Sequence, residues 1–210
     1  MRILIVCVGN VCRSPLGERL LRLALADEVA AGLVEVTSAG TGALEGRAME
    51  PDAAAELARL GGSADGFVAR AVTDEMLRAS DLVLTATTEV RKQVVGITPA
   101  VLHRTFTLKE LALVVEEEAQ HVQVLPDVRR AMRALSARRG AVSRNDLDVP
   151  DPMGRDAARH REAADQIAAT VEVLAPLVAV LVEERQAAEA EALEAQEAQE
   201  EAQEARAGEA

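Results

Sequence analysis

Short apolar segments alternate with longer amphipathic ones along most of the first half of the chain. Four segments are short and rich in apolar or β-branched residues, as is typical of buried strands: 2–7, 34–39, 82–85 and 104–107. Apolar residues recur at helical spacing elsewhere and predict helices at 14–31, 50–60, after Thr73, from Thr88 and at 108–119. This alternation predicts an α/β fold, a three-layer doubly wound sandwich whose four-stranded parallel sheet has helices on both faces.

The first predicted helix has two distinct sides. Apolar side chains share the side that we expect to face the sheet: Leu16, Leu20, Leu23 and Leu25. Charged side chains share the side that we expect to face solvent: Glu18, Arg19 and Arg22. Gly32 is expected to end this helix.

The pattern changes in the second half of the chain. A basic stretch at 126–139 predicts an arginine-rich helix, which is either a lid that recruits an anionic substrate or partner, or a solvated charged face. A last helix is predicted to begin near 155–159 and to bend at Pro176. Its apolar side should pack on the core through Ile167, Val171, Leu174, Leu177, Val178 and Leu181.

From Glu183 onward the chain consists almost entirely of Ala, Glu and Gln. These residues favour helix but offer no apolar side to bury, so a frayed helix or disorder is expected. The sequence therefore predicts one domain at 1–182, with an atypical insertion at 120–148, followed by an acidic tail at 183–210.

The stretch at 7–15, Cys-Val-Gly-Asn-Val-Cys-Arg-Ser-Pro, joins the first strand to the first helix. Gly9 and Asn10 suit a tight loop, whose amides, together with the helix N-terminus, favour a bound anion. Arg13 adds a planar cation suited to two phosphate oxygens. The same positive field favours the thiolate form of Cys7, and Ser14 can donate a hydrogen bond to that sulfur. The arrangement points to covalent phosphoryl transfer.

The same stretch resembles the signature loop of low-molecular-weight protein tyrosine phosphatases. The resemblance implies a phosphate-binding loop made of Val8, Gly9, Asn10, Val11, Cys12, Arg13 and Ser14 around a nucleophilic Cys7. It also implies that Ser38, in a Ser-Ala-Gly turn, holds Asn10 in its strained shape, although spacing alone is equally compatible with an ordinary serine in a glycine-rich turn. Arg70 matches an arginine of the family, whereas Phe67 stands where the family often has histidine.

A phosphocysteine mechanism also needs an acid that protonates the leaving oxygen and later activates water. The family keeps this acid in an Asp-Pro motif far downstream, which Asp151 and Pro152 match in order and distance. Asp-Pro alone is most often a turn, and Asp146 and Asp148 are weaker candidates because no proline follows them. The resemblance thus implies Cys7, Arg13 and Asp151 as catalytic residues.

The substrate is less clearly indicated. Family members that act on phosphotyrosine usually place aromatic residues after Asp-Pro and near Leu44, but this chain has Met153 and Gly154 after that motif. Val11 is an aliphatic residue, as in the tyrosine-type members, whereas arginine phosphatases carry threonine there. A protein phosphotyrosine substrate is therefore expected, with a protein arginine phosphatase or a catalytically weak phospho-binding module as alternatives. Arsenate reduction would need further downstream cysteines.

Cys12 can either trap oxidised Cys7 as a disulfide or fill space beneath the loop. The three histidines (His103, His121 and His160) show no ligand-like spacing with one another or with the cysteines, and are expected at surface or helix-end positions. We therefore expect no metal and no cofactor.

The formal net charge is −12, and most of it lies in the tail, where ten Glu face two Arg. Nothing in this distribution indicates nucleic-acid binding. The N-terminal apolar run is too short for a signal peptide or a membrane span. No later run reaches the ~18 apolar residues that a membrane-spanning helix needs, so membrane insertion is not expected. Two cysteines, one of them needed as a free thiol, indicate a cytoplasmic protein, and the preference for Arg over Lys suggests a bacterial source.

Overall fold

The computed structural model describes residues 1–118, 127–140 and 145–208. Four parallel strands form one sheet in the order β2-β1-β3-β4: β1 (Arg2–Cys7), β2 (Glu35–Gly40), β3 (Leu82–Thr85) and β4 (Thr105–Thr107). In the register of the central strand, Ile3 is paired with Val36 on one side and Leu82 on the other. The predicted four-stranded parallel sheet is confirmed.

Eight α-helices and one 3₁₀ helix are found in the described parts of the chain. They are α1 (Arg13–Ala24), α2 (Ala26–Ala30), α3 (Pro51–Arg59), α4 (Asp74–Ala79), α5 (Thr88–Ile97), the 3₁₀ helix (Pro99–Arg104), α6 (Leu108–Glu118), α7 (Val128–Ala137) and α8 (Ala157–Gly208).

Both faces of the sheet are covered, because alternate residues of each strand point to opposite sides. Ile3 and Ile5 of β1 belong to the larger core, which also contains apolar residues of α1, α3, α6, α7 and α8. Leu4 and Val6 belong to the smaller core, which contains residues of α4, α5 and the 3₁₀ helix. This confirms the three-layer doubly wound arrangement.

The predicted helix at 14–31 differs from the structure in two ways. It is two helices, α1 and α2, separated at Leu25. In addition, Leu23 is half exposed and Glu18 is buried, the reverse of what we expected. The apolar side of α1 is formed instead by Leu16, Leu20 and Leu21, and Glu18 faces the end of β2.

The basic helix corresponds to α7, with Asp127 as its N-cap; the positions at 119–126 and 141–144 lie outside the described residues. Apolar side chains of α7, among them Met132 and Leu135, are buried in the larger core. Beyond its C-terminal end, Arg139 stacks on Phe106 at 4.1 Å and lies 3.6 Å from the buried carboxylate of Glu110. One side of the insertion is thus docked on the domain.

The last helix, α8, passes through Pro176, and the six predicted core positions are all buried. Val182 is the last buried residue among those described. By length and composition alone this helix could cross a membrane, since an 18-residue window has a mean hydropathy of 1.7. Half of that window is buried inside the protein, where α8 contacts α1, α3 and α6.

Candidate active site

The loop between β1 and α1 wraps around the sulfur of Cys7. Sγ lies 2.9 Å from the hydroxyl of Ser14 and accepts a 3.2 Å hydrogen bond from the amide of Asn10. The amide is a donor to the sulfur, whereas in the contact with Ser14 either atom can be the donor. Asn10 has a φ of 53°, the left-handed conformation that asparagine tolerates better than most residues.

Asn10 is fully buried, and its side chain braces the loop. Nδ2 lies 2.9 Å from the hydroxyls of both Ser14 and Ser38, and Oδ1 accepts a 2.9 Å hydrogen bond from the amide of Arg70. The predicted contact between Ser38 and Asn10 is confirmed. Arg70 also donates through Nε to the carbonyl of Ser38, so this one arginine holds both Asn10 and Ser38.

Glu18 extends this network and was missed by the sequence analysis. The hydroxyl of Ser38 donates a 2.6 Å hydrogen bond to its Oε2. Arg19 and Arg22 lie 3.7 and 3.6 Å from its other oxygen. One signal was present in the sequence, since Glu18 follows Ser14 by four positions and therefore lies on the same side of the helix. Phe67, at the position where the family often has histidine, is buried beneath the guanidinium of Arg19.

Arg13 is almost fully buried and is held at the edge of the loop. Its Nη1 donates to the carbonyl of Val149 at 3.2 Å, and its Nη2 lies 3.0 Å from Oδ2 of Asp151. The third nitrogen, Nε, is buried without a hydrogen-bond partner. A buried donor without a partner is costly, so this guanidinium is arranged to receive another acceptor.

The structure separates the three candidate carboxylates. Asp151 lines the same cavity as Cys7, and Oδ1 accepts a 3.2 Å hydrogen bond from the amide of Met153. Asp148 instead accepts a 2.7 Å hydrogen bond from the amide of Thr88. Asp146 forms an ion pair with Lys109. Only Asp151 of the three faces Arg13.

The cavity above Cys7 has a volume of about 300 Å³. The residues that line it include Val8, Gly9, Val11, Cys12, Arg13, Gly42, Leu44, Asp151 and Met153. Asn10 and Ser14, which the sequence analysis placed among the phosphate-binding residues, do not line it; their side chains support the loop instead. Leu44 and Met153 form aliphatic walls, and none of the described lining residues is aromatic.

Cys12 is a buried free thiol whose Sγ is 4.0 Å from the sulfur of Met153. Burial, with smaller contributions from Cys7, Glu50 and Asp151, raises the pKa of Cys12 to about 12. His160 lies in the first turn of α8, which agrees with the expected helix-end position, but it is buried beside Glu50 rather than at the surface. The three residues of α8 that precede it, 157–159, are exposed.

Comparisons with known proteins agree with this geometry. Residues 2–123 match the family model of the low molecular weight phosphotyrosine protein phosphatases. The low molecular weight protein-tyrosine-phosphatase Etp of Escherichia coli K12 is 43% identical over 103 residues, which are 49% of this chain and 66% of Etp. The match therefore spans slightly less than two thirds of that relative.

Two solved structures extend the similarity in space. The tyrosine phosphatase AmsI of Erwinia amylovora has a TM-score of 0.60 at 25% identity, covering 81% of this chain and 88% of its own. The YwlE arginine phosphatase of Geobacillus stearothermophilus has a TM-score of 0.61 at 28% identity, covering 84% and 92%. Because the family model matches more than half of the residues, this chain belongs to the low molecular weight phosphotyrosine protein phosphatase family.

Proposed function

We infer that this protein is a phosphatase that hydrolyses phosphotyrosine in proteins through a phosphocysteine intermediate. The observation that carries the proposal is that Cys7, Arg13 and Asp151 line one cavity. A phosphoryl group above Cys7 gives the guanidinium of Arg13, whose Nε has no partner, a pair of acceptors, because two guanidinium nitrogens suit two phosphate oxygens.

In the first step, the thiolate of Cys7 attacks phosphorus in line with the leaving oxygen. The new S–P bond forms as the P–O bond breaks, and Asp151 gives its proton to the departing oxygen. The loop amides and Arg13 stabilise the equatorial oxygens. In the free protein the carboxylate of Asp151 contacts Nη2 of Arg13. An arriving phosphate monoester competes for this guanidinium, and the released carboxylate takes up the proton of the monoester before passing it to the leaving oxygen.

In the second step, Asp151 takes a proton from water, which attacks phosphorus and breaks the S–P bond. Phosphate leaves and the thiolate of Cys7 is restored. The hydroxyl of Ser14, at 2.9 Å, stabilises the sulfur as it becomes a leaving group. The exposed position of Asp151 gives water access to the carboxylate.

Turnover of a small aryl phosphate tests the chemistry. Cys7→Ser should abolish turnover and still bind phosphate, because the loop and Arg13 remain. Asp151→Asn should lower kcat by about 10²- to 10⁴-fold with a smaller effect on KM. Asp148→Asn is the matched control, since its carboxylate contacts Thr88 rather than the cavity. Equal kcat values for the two Asn variants would exclude Asp151 as the acid, and phosphate binding without turnover would identify a phospho-binding module.

A protein arginine phosphatase is the second candidate. The aliphatic walls formed by Leu44 and Met153, and the similarity to YwlE, favour it. The aliphatic Val11 favours phosphotyrosine. Matched peptides that differ only in phosphotyrosine or phosphoarginine decide between the two, through the ratio of their kcat/KM values. A higher value for phosphoarginine would replace the substrate proposed above and leave the mechanism intact.

We place the protein in the cytoplasm of a bacterium, without membrane insertion. The apolar side of α8 supports this, because its six predicted core positions are buried against the domain rather than free to face lipid. Relatives from Escherichia coli and Erwinia amylovora are bacterial proteins, which supports a bacterial source. Fractionation of cells that produce the tagged protein tests the proposal, and recovery with the membranes after a high-salt wash would contradict it.

A further inference from the structure

A sulfur, a carboxylate and an imidazole come together beside the phosphate loop. They belong to Cys12, Glu50 and His160, and one ligand atom of each lies within 4.8 Å of the other two. Three separate elements supply them: Cys12 is the N-cap of α1, Glu50 is the N-cap of α3, and His160 lies near the start of α8. Their chemistry plays no part in the two-step hydrolysis.

The environment of His160 is unusual for a structural histidine. The residue is only 3% exposed, yet Nδ1 is buried without a hydrogen-bond partner. Nε2 lies 3.7 Å from Oε2 of Glu50, which is too long for a hydrogen bond. A buried imidazole nitrogen that lacks a partner is costly, so the arrangement is suited to a further group that binds this ring.

The distances suit a zinc ion. Zinc binds sulfur at about 2.3 Å and nitrogen or oxygen at about 2.0–2.2 Å, so neighbouring ligand atoms of a tetrahedral site lie about 3.3–3.7 Å apart. The distance from Nε2 of His160 to Oε2 of Glu50, 3.7 Å, already falls within this range. The sulfur of Cys12 lies at most 4.8 Å from the other two ligand atoms, so a side-chain movement of about 1 Å is enough to bring it into the same range.

The donor set also selects the metal. One thiolate, one imidazole and one carboxylate suit zinc, whereas calcium and magnesium require oxygen ligands. Cys12 lines the cavity above Cys7, which gives an ion a route to the cluster. A fourth position is left for water.

We propose that Cys12, Glu50 and His160 form a zinc site that ties the phosphate loop to the starts of α3 and α8. On binding, the S–H group of Cys12 loses its proton to solvent as the sulfur–zinc bond forms, and no oxidation or reduction takes place. This site does not depend on the phosphatase activity, so its test is a binding measurement.

Cobalt(II) is the probe, because a cobalt–thiolate bond produces a charge-transfer absorption in the near ultraviolet. The chain has two cysteines, so Cys7→Ser leaves Cys12 as the sole thiol and makes the absorption specific for it. We expect the full-length Cys7→Ser protein to develop this band with one equivalent of cobalt under anaerobic conditions, and zinc to displace it. The Cys7→Ser/Cys12→Ser protein should show no such band.

Two further substitutions test the other ligands in the Cys7→Ser background. His160→Gln and Glu50→Gln should each weaken cobalt binding by about tenfold or more, since each removes a ligand. Glu50→Gln keeps an oxygen that can cap α3, so it remains informative if the His160 variant does not fold. His103→Gln, at an exposed histidine, is the control and should bind cobalt as the parent does.

Circular dichroism verifies that each variant is folded. The absence of a charge-transfer band in the folded Cys7→Ser protein would overturn the site. Cobalt affinities of the His160 and Glu50 variants that equal that of the His103 control would overturn it as well, because the sulfur alone would then be the ligand.

Discussion

At the scale of single residues, the shape of the phosphate loop depends on hydrogen bonds from outside it. Asn10 takes a left-handed conformation and is held by Ser14, Ser38 and the amide of Arg70. Ser38 is in turn bonded to the buried carboxylate of Glu18. Most of the loop's support therefore comes from β2, α1 and the segment before α4, rather than from the nine-residue motif itself.

Ser38→Ala tests this support. The substitution removes one partner of Asn10 and leaves Oε2 of buried Glu18 without its hydroxyl donor, which should cost about 1–3 kcal/mol. We expect Tm to fall by roughly 2–10 °C and inorganic phosphate to bind more weakly, as measured by calorimetry. Ser63→Ala, at an exposed turn, is the control. Unchanged phosphate affinity in a destabilised Ser38→Ala protein would limit this residue to a role in stability.

The two cysteines should differ in reactivity. In the metal-free protein, burial raises the pKa of Cys12 to about 12, so it stays a protonated, unreactive thiol at neutral pH. Cys7, which accepts a hydrogen bond from the amide of Asn10 and lines the cavity, should be alkylated by iodoacetamide at pH 7–8, as identified by mass spectrometry. Both cysteines should react in denaturant, and preferential labelling of Cys12 in the native protein would contradict the assignment.

The raised pKa of Cys12 also makes the folding stability depend on pH. Cys12 in the unfolded chain begins to lose its proton near the ordinary value of 9.0, whereas the folded protein keeps it up to about pH 12. Its contribution to folding is therefore complete below pH 9 and is lost as the pH rises towards 12. Cys12→Ala should remove this part of the alkaline decline in stability.

The sequence predicted the residues that are close along the chain better than those that meet through packing. Cys7, Asn10, Arg13 and Ser14 lie in one strand–loop–helix unit, so local geometry determines their neighbours. Asp151 needed the family resemblance, because an Asp-Pro pair alone is most often a turn. Glu18 was misplaced, and the burial of His160 at the start of α8 was missed, because burial depends on which side of a helix meets the rest of the domain.

At the scale of secondary-structure elements, β2 determines how closely the phosphate loop approaches the sheet. A Cβ atom on Gly40, the last residue of β2, would lie 2.3 Å from the carbonyl oxygen of Val8 and 3.1 Å from Cβ of Asn10. Both atoms belong to the loop, and the carbonyl is backbone that cannot turn aside. The absence of a side chain at this strand end is therefore a requirement of the loop.

Gly40→Ala should displace the phosphate loop. We expect a loss of about 1–3 kcal/mol in unfolding free energy from the overpacked contact, and a fall in aryl phosphate turnover of at least about tenfold. Gly96→Ala in α5 is the matched control, since its Cβ would have no neighbour within 4 Å. That control should gain about 0.5–1 kcal/mol from its helix position and keep its turnover. Wild-type turnover in Gly40→Ala would show that the loop is not seated on β2.

The elements were predicted to within a few residues wherever the apolar pattern was regular. All four strands were found, because short buried strands leave uninterrupted apolar or β-branched runs. The break between α1 and α2 was not, because the helical spacing of apolar residues continues across Leu25. For α7 the pattern indicated a helix, but it could not show that Arg139 and the apolar side would dock on the domain.

At the scale of the whole molecule, α8 serves two different purposes along its length. Its first half buries apolar residues against α1, α3 and α6, and these residues account for its membrane-like hydropathy. After Val182 its described side chains are almost all exposed, and Leu193 is 57% accessible. The stability of the domain should therefore depend on the first half alone.

Two truncations test this division. A chain that ends after Ala190 keeps every α8 residue that is buried among the side chains described, up to 196, and the ion pair between Arg185 and Glu189, so Tm and aryl phosphate turnover should stay within error of the full chain. Its far-ultraviolet dichroism should decrease only by the lost helix.

A chain that ends after Ala175 loses four buried side chains, which are Leu177, Val178, Leu181 and Val182. At about 1.5–3 kcal/mol each, their loss approaches the 5–15 kcal/mol that holds a typical domain together, so this chain should not fold. A large drop in Tm for the chain that ends after Ala190 would instead show that the acidic tail contributes to the stability of the domain.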